Sequence, residues 1–93
     1  IDTGVSGDIA DKMAELMMNI AKDVQVVAIT HLPQVAAKGD VHLKISKQTS
    51  EDRTITTVSL LQHEERVEEL AKMLSGQTIT KAAFDNAKVL LNN

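Results

Sequence analysis

Cysteine is absent from this 93-residue sequence, and aromatic residues are nearly so, since Phe84 is the only one. Without cysteine there are no disulfides, no thiolate zinc sites and no cysteine nucleophiles. Without further rings, the core must be built from Leu, Ile, Val, Met and Ala, which bury less area per residue. A chain of this length forms one small domain with a modest core. We therefore expect a piece of something larger.

Long apolar runs and an excess of positive charge are also missing. No apolar run approaches the roughly 20 residues that a membrane-spanning helix needs, and the first residues do not form a basic-then-apolar leader. We expect a cytoplasmic location and no membrane partner. The net charge is -3, whereas nucleic-acid phosphates are bound by Lys and Arg. This segment is not expected to hold DNA by itself.

Periodicity in the first half predicts a loop, a helix, a strand and a short helix. Apolar residues recur at helical spacing from about Gly7 to Lys22, after a loop rich in glycine and short polar residues. The β-branched run "VQVVAIT", residues 24–30, lacks alternation, which predicts a parallel-type strand buried on both faces. Pro33 and Gly39 bound a short helix.

Periodicity in the second half predicts a hairpin and two C-terminal helices, which completes an α/β fold. The runs 41–50 and 53–61 are separated by "ED" and predict an antiparallel β-hairpin with one face in water. Glutamates alternate with apolar residues over 64–74, which predicts an amphipathic helix that ends near Gly76. A last helix is expected to begin at Thr80, its N-cap.

His31 stands directly after the predicted strand. In open α/β sheets, ligands bind beyond the carboxyl ends of the strands. The glycine-bearing stretch "IDTGVSG", residues 1–7, would share that edge if a strand preceded it, because the first helix resembles a crossover between parallel strands. An imidazole there can donate a hydrogen bond to a phosphate oxygen, and a glycine loop lets backbone approach a partner. The alternative is a structural histidine that hydrogen-bonds to backbone.

The other two histidines, His42 and His63, fall in the hairpin and near a helix start. They have no regular spacing to His31, so a three-histidine metal site is not expected. We predict that both lie at the surface.

Three stretches, "IDTGVSG", "ITHLPQVAA" and "EERVEELAKMLSG", together resemble the C-terminal part of the RecN family, bacterial SMC-like DNA repair ATPases of the ABC class. The resemblance covers essentially the whole chain. It implies that residues 1–93 are one fragment, the C-terminal half of a P-loop ABC/SMC-like ATPase head, truncated just after Walker B. The Walker B acids, the Walker A loop, the signature motif and the coiled-coil arms would then lie upstream.

The resemblance also implies a set of site residues. His31 matches the switch histidine, which contacts the γ-phosphate of ATP. The family's D-loop, which meets the opposite head, maps onto Asp2, Gly4, Ser6 and Gly7. The wider ABC pattern has an aspartate at the position of Ser6, so the contact made by that carboxylate is not expected here. No metal ligand is expected in this segment.

For the intact protein, the resemblance implies ATP hydrolysis with Mg²⁺ in DNA double-strand break repair and recombination. Its partners would be the N-terminal lobe of the same head, a second head through homodimerisation, and DNA through the intact, nucleoid-associated protein. Phosphoryl transfer needs a phosphate cradle, a metal and a water-orienting group. The fragment has none of these, so alone it is expected to be inactive.

Two rival interpretations remain at this point. One is a non-enzymatic protein-interaction module, in which the hairpin edge and the acidic helix bind a protein and the histidine is structural. The other is the head of a different SMC-like or ABC ATPase, which the stretch "THLPQVAA" disfavours.

Overall fold

The computed structural model describes residues 7–92 as four helices and one two-stranded antiparallel hairpin. In chain order the elements are α1 (Gly7–Ile20), α2 (Pro33–Lys38), β1 (Leu43–Ser50), β2 (Arg53–Leu60), α3 (His63–Ser75) and α4 (Lys81–Asn92). The predicted α/β class, the four helices and the hairpin are confirmed. The predicted strand at 24–30 is not.

Local signals in the sequence set the helix ends. The Thr80 hydroxyl accepts a hydrogen bond from the Ala83 N–H at 3.1 Å, so Thr80 is the N-cap of α4, as predicted. α3 is followed by Gly76, whose φ of 81° lies in the left-handed region that glycine adopts without strain. At the start of α3, Gln62 and Glu65 form a capping box, which was not predicted.

The helices are short. α1 has 14 residues and α2 has 6. Within residues 7–92, no helix combines the length and the apolar character that crossing a membrane requires.

Residues 24–30, predicted as a buried strand, form neither strand nor helix. Val27 and Ile29 are 81% and 80% exposed, the reverse of a strand covered on both faces. The prediction of an internal parallel strand is therefore wrong for this chain. Such a strand needs neighbours whose N–H and C=O groups pair with its own. The described residues contain one sheet, the hairpin, and it does not extend to this segment.

The hairpin exposes its apolar face. Leu43 pairs with Leu60 and Ile45 with Val58, so the four side chains share one face of the ribbon. Each of them is more than half exposed. We expected one face in water, and the structure exposes the apolar face as well. The polar face is the one turned toward α3, where Lys44 Nζ lies 2.9 Å from a Glu69 carboxylate oxygen.

The short helix α2 lies between two hydrophobic clusters. Val35 packs with Ala10 and Ala14 of α1, whereas Ala37 belongs to a cluster formed with α3 and α4. Residues two apart point to nearly opposite sides of a helix with 3.6 residues per turn. Among the described elements, α1 packs on α2 alone. The two halves of the helical core are therefore joined through α2.

The core consists largely of alanine. Of the ten buried hydrophobic side chains in the part of the chain that the structure describes, six are alanines. These are Ala10, Ala14, Ala37, Ala71, Ala83 and Ala87. The largest fully buried side chains are those of Leu70 and Val67, both in α3. Small side chains at the contacts let helices approach closely.

Candidate functional site

His31 lies between the irregular segment and α2. The residue is exposed, and the backbone around it is held by a local hydrogen bond, in which Thr30 Oγ1 accepts from the Leu32 N–H at 3.0 Å. Leu32 is the N-cap of α2, and Pro33 follows with a φ suited to the first turn. Because only Leu32 separates His31 from α2, the position of His31 depends on that helix.

The start of α1 lies against α2. A Cβ placed on Gly7 would lie 3.3 Å from Gln34 Nε2, which is tight for such a contact. Gln34 is three residues beyond His31, in the first turn of α2. The structure thus brings the last residue of the predicted D-loop next to the helix that follows the predicted switch histidine. The other three predicted loop residues lie outside the described part of the chain, namely Asp2, Gly4 and Ser6.

Arg66, which was not predicted to have a role, ties α3 to the C-terminal end of α2. Its Nη2 donates to the Gly39 carbonyl at 2.7 Å and lies 3.2 and 3.4 Å from the carbonyl oxygens of Ala36 and Ala37. The last carbonyls of a helix have no partner inside the helix. Burial lowers the pKa of Arg66 and the charge of Asp40 raises it, and a guanidinium stays charged in proteins.

His42 lies close to this guanidinium, and it is half-buried rather than at the surface as predicted. Its Nδ1 is buried with no hydrogen-bond partner in the described structure. Burial lowers the pKa of His42, the charge of Arg66 lowers it further, and Glu69 acts in the opposite direction. The folded chain therefore favours the neutral imidazole. His63, in contrast, is exposed as predicted.

We expect the chain to lose stability as the pH falls below the ordinary histidine pKa of 6.5. A histidine whose pKa is lowered by folding binds a proton more readily in the unfolded chain, so acid favours unfolding. The free energy of unfolding from urea denaturation should be level near pH 7 to 8 and decline between about pH 6.5 and 5.

The substitution His42→Gln should flatten this decline, since glutamine does not titrate. His63→Gln is the matched control, because His63 is exposed, and it should keep the decline. An unchanged pH dependence in His42→Gln would assign the effect to another group.

The histidines are not gathered into one centre. Within residues 7–92, no three side chains among His, Asp and Glu are grouped so that they could hold a metal ion. The described residues thus hold no cluster that would bind a magnesium ion through protein side chains alone, whereas magnesium beside ATP needs only one or two carboxylates and phosphate oxygens.

The fold and the site together define a small α/β domain organised around one short helix. That helix, α2, directly follows His31 and Leu32, and Gly7 of α1 lies beside it. Arg66 of α3 hydrogen-bonds to the carbonyl of Gly39 at its C-terminal end. No family model matches the chain.

The curated proteins that the chain matches identify its family more closely. The chain is 51% identical to the DNA repair protein RecN of Rickettsia conorii over 92 residues, which are 99% of this chain and 17% of that protein. Identity is 47% to RecN of Halalkalibacterium halodurans, over 99% of this chain and 16% of that protein. It is 44% to RecN of Bacillus subtilis, over 98% of this chain and 16% of that protein.

The chain therefore belongs to the RecN family, and the resemblance predicted from the sequence is confirmed. It spans only 16 to 17% of the length of these relatives. It is a segment of such a protein.

Proposed function

We propose that this segment is the C-terminal lobe of an ABC/SMC-like ATPase head in a RecN-like protein that acts in DNA double-strand break repair and recombination. In the intact protein, His31 contacts the γ-phosphate of ATP and senses its presence. The D-loop residues, Asp2, Gly4, Ser6 and Gly7, meet the second head of a homodimer. The intact protein is cytoplasmic, associates with the nucleoid and contacts DNA through parts other than this segment.

The observation that carries this proposal is how near Gly7 lies to Gln34, whose Nε2 would be 3.3 Å from a Cβ added at Gly7. This supports the proposal because Gly7, the first residue of α1, lies beside the helix that follows His31. A site that reports nucleotide to a second head needs its phosphate contact and its inter-head loop on one rigid support. The short helix α2 supplies such a support, because both α1 and the α3–α4 pair pack on it.

The chemistry of phosphoryl transfer indicates which catalytic groups this segment and the N-terminal lobe each supply. That reaction depends on a phosphate cradle, on magnesium, on a group that orients water and on further donors to the γ-phosphate. This segment offers a donor of the last kind, the imidazole of His31. The N-terminal lobe of the head supplies the cradle, the magnesium ligands and the water-orienting group.

Exposed apolar surface supports a second lobe as the partner. Val27 and Ile29 of the irregular segment are almost fully exposed, and the apolar face of the hairpin is also exposed. Monomeric proteins rarely leave large contiguous apolar patches in water. We propose that the N-terminal lobe adds strands beside residues 24–30, which then become the buried strand that their composition favours.

The test uses the full-length RecN-like protein that contains this segment. His31→Ala should lower the turnover number for ATP by about a hundredfold, because a donor aimed at developing charge on the phosphate is lost. His63→Ala is the matched control, since it removes an exposed histidine of α3, and it should hydrolyse ATP at the wild-type rate.

The isolated segment should show no turnover above background. Wild-type turnover in full-length His31→Ala would refute the proposed role of the histidine. Turnover by the isolated segment that His31→Ala abolishes would refute the division between two lobes.

A further inference from the structure

We infer that Arg66 is a positioning residue for His31, and that it acts through the C-terminal end of α2. The inference rests on the proposed function of His31 and adds to it a route by which α3 controls that histidine. Three features of the structure carry it: the weakness of α2 by itself, the geometry of the guanidinium, and the place of α2 in the core.

α2 has little stability of its own. It has six residues, far fewer than the roughly 12 to 15 that an isolated helix needs to be even marginally stable in water. Its N-cap, Leu32, makes no side-chain capping bond. At the other end, Gly39 has an extended backbone, with φ -67° and ψ 144°, so the helix does not close in a left-handed cap. The contacts that hold α2 must come from other elements.

Arg66 supplies the contact at the C-terminal end. One nitrogen, Nη2, lies within hydrogen-bond distance of three carbonyl oxygens at this end, those of Ala36, Ala37 and Gly39. A positive charge at the C-terminal end of a helix is also favourable toward the helix dipole. All three bonds are made by Nη2, and the buried Nε has no partner in the described structure, so the contact depends on how the guanidinium holds this one nitrogen.

The place of α2 in the core links this contact to His31. Arg66 precedes Val67, which is 2% exposed and packs in the α3–α4 cluster, so the stem of Arg66 moves with that cluster. The N-terminal end of α2 is joined to His31 through Leu32, whose N–H bonds to Thr30. A short helix held at its far end moves as one body. A shift of α3 is therefore passed along α2 to the histidine.

A double-mutant cycle in the full-length RecN-like protein tests this route. Arg66→Ala should lower the turnover number for ATP about ten- to a hundredfold, because misplacement of a reacting group by about 1 Å has effects of that size. The KM for ATP should change less than about threefold, since the phosphate cradle lies in the other lobe. In the His31→Ala background, Arg66→Ala should cause no further loss.

Two further variants separate positioning from general damage. Arg66→Lys keeps the charge but not the planar fork, and should recover part of the lost turnover. Lys72→Ala removes a positive charge from the same helix, where Lys72 pairs only loosely with Glu68 at 3.8 Å, and should keep wild-type turnover. If Arg66→Ala does not fold, the cycle is run with Arg66→Lys, and the same absence of additivity is expected.

An equal loss from the Arg66 substitution in both backgrounds, or a loss seen only in KM, would overturn the inference and leave the proposed role of His31 standing. Wild-type turnover in His31→Ala alone would overturn the proposed function, and the inference with it. The Arg66 variants therefore test the inference, and His31→Ala alone tests the proposed function.

Discussion

Leu70→Ala is expected to lower the free energy of unfolding of the isolated chain by about 2 to 5 kcal/mol. Leu70, in α3, is fully buried. It and Val67 are the largest fully buried side chains in the described part of the chain. The substitution removes its apolar contacts and leaves a cavity in a cluster whose other buried members are Val67 and four alanines, side chains too small to refill it. Domains of this size have only about 5 to 15 kcal/mol of stability in total. The variant should therefore unfold at much lower urea concentration, and circular dichroism at increasing urea measures this.

Leu16→Ala is the matched control for that experiment. It makes the same chemical change on α1, but Leu16 is 61% exposed, and exposed positions usually change stability by less than about 0.5 kcal/mol. Equal losses in the two variants would contradict the assignment of the core to the α3–α4 side of the molecule.

Val27→Asp is expected to leave the stability of the isolated chain almost unchanged and to destabilise the full-length protein. In the isolated chain Val27 is 81% exposed, so stability should change by less than about 0.5 kcal/mol. In the full-length protein we propose that residues 24–30 form a strand covered on both faces. A carboxylate buried there without a partner would cost more than about 3 kcal/mol.

Urea denaturation of the isolated chain and thermal unfolding of the full-length protein measure the two effects. Val27→Thr is the control, because threonine keeps the β-branched shape and carries no charge, and it should be tolerated far better in the full-length protein. Full-length Val27→Asp with the wild-type melting temperature would show that this segment stays in water, against the proposed association of two lobes.

The sequence was sufficient for elements whose signals are local. The N-cap at Thr80 and a helix end near Gly76 were predicted from residue type and position, and the structure has both, with Gly76 in the left-handed region. The hairpin was predicted from two β-rich runs with a two-residue turn, and its strands pair in register from Leu43 with Leu60 to Ser50 with Arg53. Such features depend on neighbours a few residues apart, which a single sequence contains.

The prediction of a buried strand at residues 24–30 was wrong for a different reason. Its composition describes the environment of a strand inside a parallel sheet, but none of the described residues supplies the neighbouring strands. The apolar residues of that run, such as Val27 and Ile29, are therefore exposed. The composition of a segment can report an environment that the chain itself does not provide.

The contacts of Arg66 and the burial of His42 could not be predicted from the sequence. Arg66 lies among glutamates in α3, where its charge predicts an ordinary solvated face. Its role comes from carbonyls of α2 that lie 27 to 30 residues earlier in the chain. His42 became half-buried for the same reason, since α3 folds beside the start of the hairpin. One signal was available: α2 is too short to be stable without an external partner.

The alanine-lined contacts between the helices change what kind of mutation this domain can tolerate. In most cores truncation does the greater harm, but a methyl side chain leaves almost nothing to truncate. At positions such as Ala10, Ala14 and Ala87, each at most 1% exposed, an added isopropyl or phenyl group would have to wedge two backbones apart. The molecule is thus sensitive to gain of volume, and a larger side chain at Ala10 or Ala14 would separate α1 from the helix that follows His31.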